Sequence, residues 1–178
     1  VKKFVPQLGA RSPIGAYVPA PSDPERLFYV ATFWHRHAEA NGVRKDFLEV
    51  ATRLSSPRFE GGLVSDVELP EEYAGLRSPR SYAHSDYLER VGSSVLAFNT
   101  PAVHRCLGWK LGEFFALGKA IVTLPLERPL PGAPVDGQHF HVVDGSVPSI
   151  EDAIERLASD HSYRRGLEMA ARDYWSEW

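Results

Sequence analysis

Short stretches that are apolar at nearly every position alternate along this chain with stretches whose apolar residues recur at helical spacing. Leu27 to Phe33 (LFYVATF), Ser94 to Phe98 (SVLAF), Ala120 to Leu126 (AIVTLPL) and Phe140 to Val143 (FHVV) are short and rich in β-branched and aromatic residues. They lack the alternating polar positions of a strand with one wet face, so they read as strands buried on both sides. Gly62 to Val67 (GLVSDV) is a weaker candidate. Between the strands, Phe47, Val50, Ala51 and Leu54 follow i, i+3, i+4, i+7, one face of a helix. Asn41-Gly42 reads as a loop before it, and Pro57 ends it. Residues 68 to 80 read as a polar loop. Tyr82 to Val91 predicts a short helix with Tyr87, Leu88 and Val91 inward. Trp109 to Leu117 predicts another, with Gly118 as its stop. Ser149 reads as an N-cap, with Asp152 at the third helical position and Ile150, Ile154, Leu157 and Ala158 following. Asp160 starts a last helix with Tyr163, Leu167, Ala170, Ala171 and Tyr174 as its stripe. This order predicts an α/β domain over residues 27–178: a parallel sheet with helices on both faces. Residues 1–26, broken by Pro6, Pro13, Pro19, Pro21 and Pro24, read as an extended linker or arm.

Composition removes several function classes. A net charge of −3 and a pI near 6.2 give no electrostatic footprint for nucleic acid or an anionic membrane. No apolar run reaches about 18 residues, so no transmembrane segment is expected. Cys106 is the sole cysteine and cannot form an intramolecular disulfide. It reads as a buried, inert thiol. A single thiol fits a reducing compartment, and a cytoplasmic location is expected. Val1 fits a fragment, a processed product or the ordered part of a longer chain.

In an open parallel sheet, ligands bind outside the carboxyl ends of the strands. That directs attention to the loops after Phe33, Phe98 and Leu126. The loop after Phe98 begins Asn99-Thr100-Pro101 and runs to Lys110, where a helix carrying Glu113 follows. Free N–H groups at a helix start favour phosphate, and Arg105 and Lys110 add positive charge. Glu113, three residues after Lys110, suits hydroxyl groups instead, because an ionised carboxylate only accepts hydrogen bonds. No Gly-x-Gly-x-x-Gly and no Gly-x4-Gly-Lys-Ser/Thr is present, so dinucleotide cofactors and P-loop chemistry lose support. His35-x-His37 and His139-x-His141 each offer two imidazoles, which do not make a metal site.

The stretch Ser94-Val-Leu-Ala-Phe, then Gly108-Trp-Lys-Leu-Gly-Glu-Phe-Phe-Ala-Leu-Gly-Lys-Ala-Ile-Val122, resembles the donor-binding segment of GT-B glycosyltransferases. Trp-Lys-Leu-Gly-Glu is similar to the Arg-Leu-x-Glu of the exostosin-like branch. Asp136-Gly137, Val142-Val143, a helix, Ser162-Tyr-Arg-Arg165 and a last helix with Ala171-Arg-Asp-Tyr174 resemble the close of such domains. The likeness covers 27–178 in layout and 94–125 in detail. It implies a Rossmann-like fold, the C-terminal half of a GT-B enzyme, that binds a nucleoside diphosphate sugar as substrate. It also implies a missing N-terminal acceptor domain or partner chain, and no metal or other cofactor. By resemblance, Glu113 holds the ribose or sugar and Lys110 faces the diphosphate. Arg36 or Arg44 adds a phosphate contact, Asn99 and Thr100 line the loop, and Tyr82 or its loop stacks on the base. Arg105 departs from the pattern: many GT-B enzymes carry a second Glu at this position, eight residues before Glu113. The alternative is a non-catalytic Rossmann-like nucleotide-binding or protein-interaction module. An additional sheet-forming domain upstream in the native chain would separate the two.

Overall fold

A computed structural model of the chain describes residues 18–102 and 106–178. In order it contains β1 (Arg26–Thr32), α1 (Ala38–Arg53), β2 (Arg58–Val64), α2 (Glu71–Ala74), α3 (His84–Ser93) and β3 (Ala97–Asn99). Then come α4 (Trp109–Ala116), β4 (Ile121–Thr123), β5 (His141–Val142), α5 (Val147–Ser159) and α6 (His161–Glu177). Every ladder is parallel: β1 with β2, β3 with β4, and β4 with β5. The two groups of strands meet beside residues 94 and 95. There Val95 N–H donates to Arg26 O at 2.7 Å, and Phe28 N–H donates to Ser94 Oγ at 2.9 Å. The spatial order is therefore β2-β1-β3-β4-β5. From β1 the chain steps outward to β2 and then returns to the other side of β1. The direction of winding changes between β1 and β3.

Side chains alternate along β1 and divide the core into two layers. Leu27, Tyr29, Ala31 and Phe33 face α1 and α5, joined by Phe47, Phe98, Val122 and Ile154. Phe28 faces α3, α4 and α6, joined by Leu88, Phe114, Phe115, Ile121 and Tyr174. This is the Rossmann-like α/β fold, with helices on both faces of a parallel sheet.

Several local expectations shift. Asn41-Gly42 is not a loop but lies within α1, which begins at Ala38. An asparagine competes with the helix only when its side chain turns back on its own backbone. Here it turns outward: Asn41 Oδ1 accepts from Trp34 N–H at 3.1 Å, and its Nδ2 donates to Trp34 O at 2.8 Å. β2 starts four residues earlier than the apolar run suggested, at Arg58. Backbone pairing to β1 recruits its polar start, and apolar patterning carries no signal of such pairing. The helix cap near Ser149 is Ser146 instead, whose Oγ accepts from Ser149 N–H, with Pro148 in the first turn. Proline suits that turn because its missing N–H would be unsatisfied there anyway. A short α2 occupies the stretch read as loop. Cys106 is exposed, because it lies in the loop before α4 and not on a packed face. No helix among the described residues is long and apolar enough to cross a membrane.

Lys119 is fully buried two residues before β4. Its Nζ donates to Gly92 O at 2.7 Å, Ser94 O at 2.6 Å and Ser22 Oγ at 2.5 Å. Ser22 in turn donates to Glu168 Oε1 at 2.5 Å. One ammonium thus ties the segment before β1 to α3 and α6. Burial pushes this lysine down to about 8 from 10.5, against the nearby Glu168 carboxylate. Between those two values the unfolded chain holds a proton that the folded chain has released, so stability rises with pH across the window. We expect a gain of roughly 1–2 kcal/mol from this group between about pH 7.5 and pH 9.5. Denaturant melts at the two pH values should show the slope in the wild type and less of it in Lys119→Met.

Candidate functional site

The crevice at the change of winding opens outside the carboxyl ends of β1 and β3, where an open α/β sheet offers its loops to a ligand. Thr32, Trp34 and Arg44 form one wall, Asn99 and Thr100 the floor, and Trp109 and Lys110 the other wall of a cleft of about 120 Å³. Thr100 and Ala102 also border a larger cavity of about 730 Å³, lined by Arg36, Glu39, Leu124 and Glu127. The two cavities thus neighbour each other at the carboxyl end of β3.

Arg44 is the most constrained group. It projects from α1 and is only 4% exposed. Its guanidinium lies 3.8 Å from the Trp34 ring centroid, a cation–π stack. Nη1 donates to Thr32 O at 2.7 Å, whereas Nε has no hydrogen-bond partner among the described residues. No carboxylate among the described residues lies within ion-pair distance of it. Asn41, by pinning both backbone groups of Trp34, fixes the ring against which Arg44 stacks. The buried Tyr29 hydroxyl faces Arg44 and Thr100. Burial pushes this phenol up and the guanidinium down from their ordinary values.

Lys110 enters from the opposite side. Its Nζ donates to Val30 O at 2.6 Å and sits 5.3 Å from the Tyr87 ring centroid. Burial first, and the Arg44 charge second, push it down to about 8, with Glu113 pulling the other way. The protein therefore holds two cations at one strand edge, close enough to disfavour each other's charge.

Glu113 lies behind this cleft and not on its surface. It is 1% exposed, with Oε1 3.6 Å from His84 Nε2. Asn99 is buried, and its Nδ2 donates to Thr123 Oγ1 at 2.9 Å, tying the carboxyl ends of β3 and β4 together. Thr100 borders both cavities, and Arg36 is exposed on the larger one. Tyr82 sits elsewhere. It packs edge-on to Phe28 toward the amino end of β1, donates to Glu60 Oε1 at 3.2 Å, and carries the Arg80 and Arg90 guanidiniums against its ring. Arg105 lies outside the described residues. The structure thus brings together Arg44, Asn99, Thr100 and Lys110, with Arg36 and Glu113 at the margins and Tyr82 apart.

Sequence reasoning passed over Trp34, Asn41, Tyr29 and Trp109. For Trp34 and Asn41 a signal existed: both follow the first strand, at the edge where ligands bind. The histidines engage other groups, His35 with Ser65 Oγ at 3.3 Å and His141 with Tyr163 Oη at 2.8 Å.

No protein-family model and no curated protein matches the sequence. Solved structures do match in shape. TarM superimposes with a TM-score of 0.66 at 10% identity over 90% of this chain, which spans only 34% of the TarM chain. The C-terminal domain of a glycosyl transferase group 1 family protein, LpcC, from Francisella tularensis gives a TM-score of 0.57 at 12% identity. That match covers 94% of this chain and 92% of the domain. The chain has the Rossmann-like fold of the C-terminal domain of a GT-B glycosyltransferase.

Proposed function

We propose that this chain is the donor-binding domain of a glycosyltransferase, holding a nucleoside diphosphate sugar for transfer to an acceptor. The observation that carries this reading is Arg44: a buried cation whose Nε has no hydrogen-bond partner and which has no carboxylate partner among the described residues, at the winding change of a doubly wound sheet. A buried charge is costly unless it is paired. Lys110, on the opposite wall, doubles the positive charge. A diphosphate would satisfy both, and the amino end of α4 adds N–H donors on the same side.

The chemistry follows from where charge develops. As the bond between sugar and diphosphate breaks, negative charge grows on the departing phosphate oxygens. Fixed donors aimed at that point lower the barrier because they need no rearrangement during the reaction. Arg44 and Lys110 are such donors and need no metal ion to act. Glu113, which the family resemblance assigns to ribose or sugar hydroxyls, is buried against His84 behind the cleft, so this reading leaves the donor contacts to Arg44 and Lys110. The Trp109-Lys-Leu-Gly-Glu113 spelling favours the exostosin-like branch. An N-terminal domain or partner chain would bring the acceptor, and the whole enzyme would act in the cytoplasm.

The test is calorimetric titration with UDP, GDP and their sugars across a pH series. A bound diphosphate draws the Lys110 value upward from about 8 toward its ordinary range. Binding should therefore take up a proton near pH 8, and affinity should fall by up to about tenfold per pH unit above it. The uptake appears as a dependence of the measured heat on buffer ionisation enthalpy, and Lys110→Met should abolish it. No binding of any of these ligands rejects the proposal. Binding without proton uptake removes Lys110 from the site.

A further inference from the structure

Resting on the donor-site reading, we propose that Tyr29 is a phosphate-binding residue, whose hydroxyl donates to the same phosphoryl oxygen that Arg44 Nε holds. Tyr29 lies in the middle of β1 and is 5% exposed. Its ring is held on two sides. It meets Phe47 edge-on at 4.8 Å and Phe98 edge-on at 5.6 Å, and those two rings stack on each other at 4.1 Å. With the ring fixed, the hydroxyl is fixed too. Tyr29 lines the cleft together with Arg44, Asn99, Thr100 and Lys110. The hydroxyl lies within electrostatic reach of Arg44 and Thr100 but closes a hydrogen bond with neither, nor with any other described residue. Arg44 Nε, on the neighbouring side chain, is in the same condition.

Two buried polar atoms of one cleft thus call for an acceptor. Burying a hydroxyl without a hydrogen bond costs stability, and phenylalanine would pack between the same rings without that cost. Nε can only donate, and a phenol has one proton to donate. Burial pushes the phenol up from its ordinary value, so it keeps that proton through the neutral range. One oxygen with two lone pairs serves both donors. Arg44 and Lys110 make the cleft doubly positive, so an anionic oxygen suits it best, and charge strengthens both hydrogen bonds. A phosphoryl oxygen meets each requirement. The phenol also adds a donor without the repulsion that a third cation would bring to Lys110.

The discriminating experiment measures inorganic pyrophosphate, UDP and GDP by calorimetry on wild type, Tyr29→Phe, Arg44→Gln and the double variant, with thermal melts of each unliganded protein. Tyr29→Phe should weaken pyrophosphate and the better-binding nucleotide equally, by about tenfold, the size of one hydrogen bond to a charged group. Its thermal midpoint should hold or rise, since an unsatisfied buried hydroxyl is removed. In the Arg44→Gln background the same change should cost less than about threefold, because two groups that hold one oxygen do not act independently. A Tyr29→Phe affinity within about twofold of wild type assigns the hydroxyl to the scaffold and overturns the proposal. An affinity loss that comes with a lowered thermal midpoint does the same. A full tenfold loss on going from Arg44→Gln to the double variant, about the size of an independent hydrogen bond, overturns the shared oxygen. If wild type binds none of the three ligands, the donor site itself is rejected.

Discussion

Arg44→Gln is expected to weaken the binding of UDP and of inorganic pyrophosphate by about a hundredfold, at little cost in stability. Hydrogen bonds to charged groups contribute about 1.5–3 kcal/mol each, so losing one or two of them covers that range. The stability side runs against the usual expectation for a buried residue. Removing one member of a buried ion pair destabilises because the other charge is left unpaired. Arg44 has no such partner among the described residues, so glutamine removes an uncompensated charge while leaving an amide that can reach Thr32 O. Thermal stability should hold or rise, as at other sites where function is maintained against stability. Lys110 should report the same change by moving part of the way back up, because burial still holds it down but the Arg44 charge no longer adds to it. Titration calorimetry and denaturant melts give both numbers. An unchanged affinity, or a loss of stability above about 3 kcal/mol, would place Arg44 in the scaffold and not in the site.

Gly61→Ala is expected to prevent folding or to cost more than about 4 kcal/mol, a size reserved for a few mechanisms. Gly61 lies in β2 with φ of +139°, and a β-carbon built there falls 1.8 Å from Tyr29 O. The clash is with backbone, so no rotamer change relieves it. The obstructed residue is the neighbour that β2 must pair with, since Tyr29 stands opposite Gly61 in the β1–β2 ladder. Tyr29 also supplies the hydroxyl facing Arg44 and Thr100, so the disturbance reaches the cleft. Gly42→Ala is the internal control. It sits in α1 with nothing within 4 Å of the added carbon and should stabilise by up to about 1 kcal/mol, since alanine is the better helix former. Denaturant melts of the two variants separate a steric requirement from a general intolerance of change at glycine. A folded Gly61→Ala protein of near wild-type stability would show that β1 and β2 do not pair as described.

The parts legible in advance were those in which a residue's own character decides its fate. Leu27 to Phe33 and Ala120 to Leu126 contain strands because nothing in them could face water at regular intervals. Gly118 ends α4 with φ of +61°, a conformation glycine adopts without strain. Asp160 caps α6 by accepting from Tyr163 N–H, a local event between residues three apart. What was missed depended on partners that the apolar pattern does not encode. Arg58 to Glu60 became a strand because β1 lies alongside with its backbone groups open. Asn41 entered a helix because Trp34 took up its side chain. Cys106 is exposed because it precedes α4 and lies on no packed face.

For the proposed site, the chain itself offered the candidate groups: Lys110 and Glu113 on one helix after a buried strand, and arginines after the first strand. It also determined the layered fold, because a fully apolar strand must be covered on both faces and only parallel α/β order supplies that cover. Which arginine faces the cleft was a tertiary decision. Arg36 and Arg44 are equivalent as letters, but only Arg44 lies on the turn of α1 that packs under the Trp34 ring, and packing there removes it from water. The same holds for Lys110 and Glu113, three residues apart on α4. The turn of the helix points the lysine at the carbonyl of Val30 and buries the carboxylate against His84, a difference of direction that only the packed structure sets.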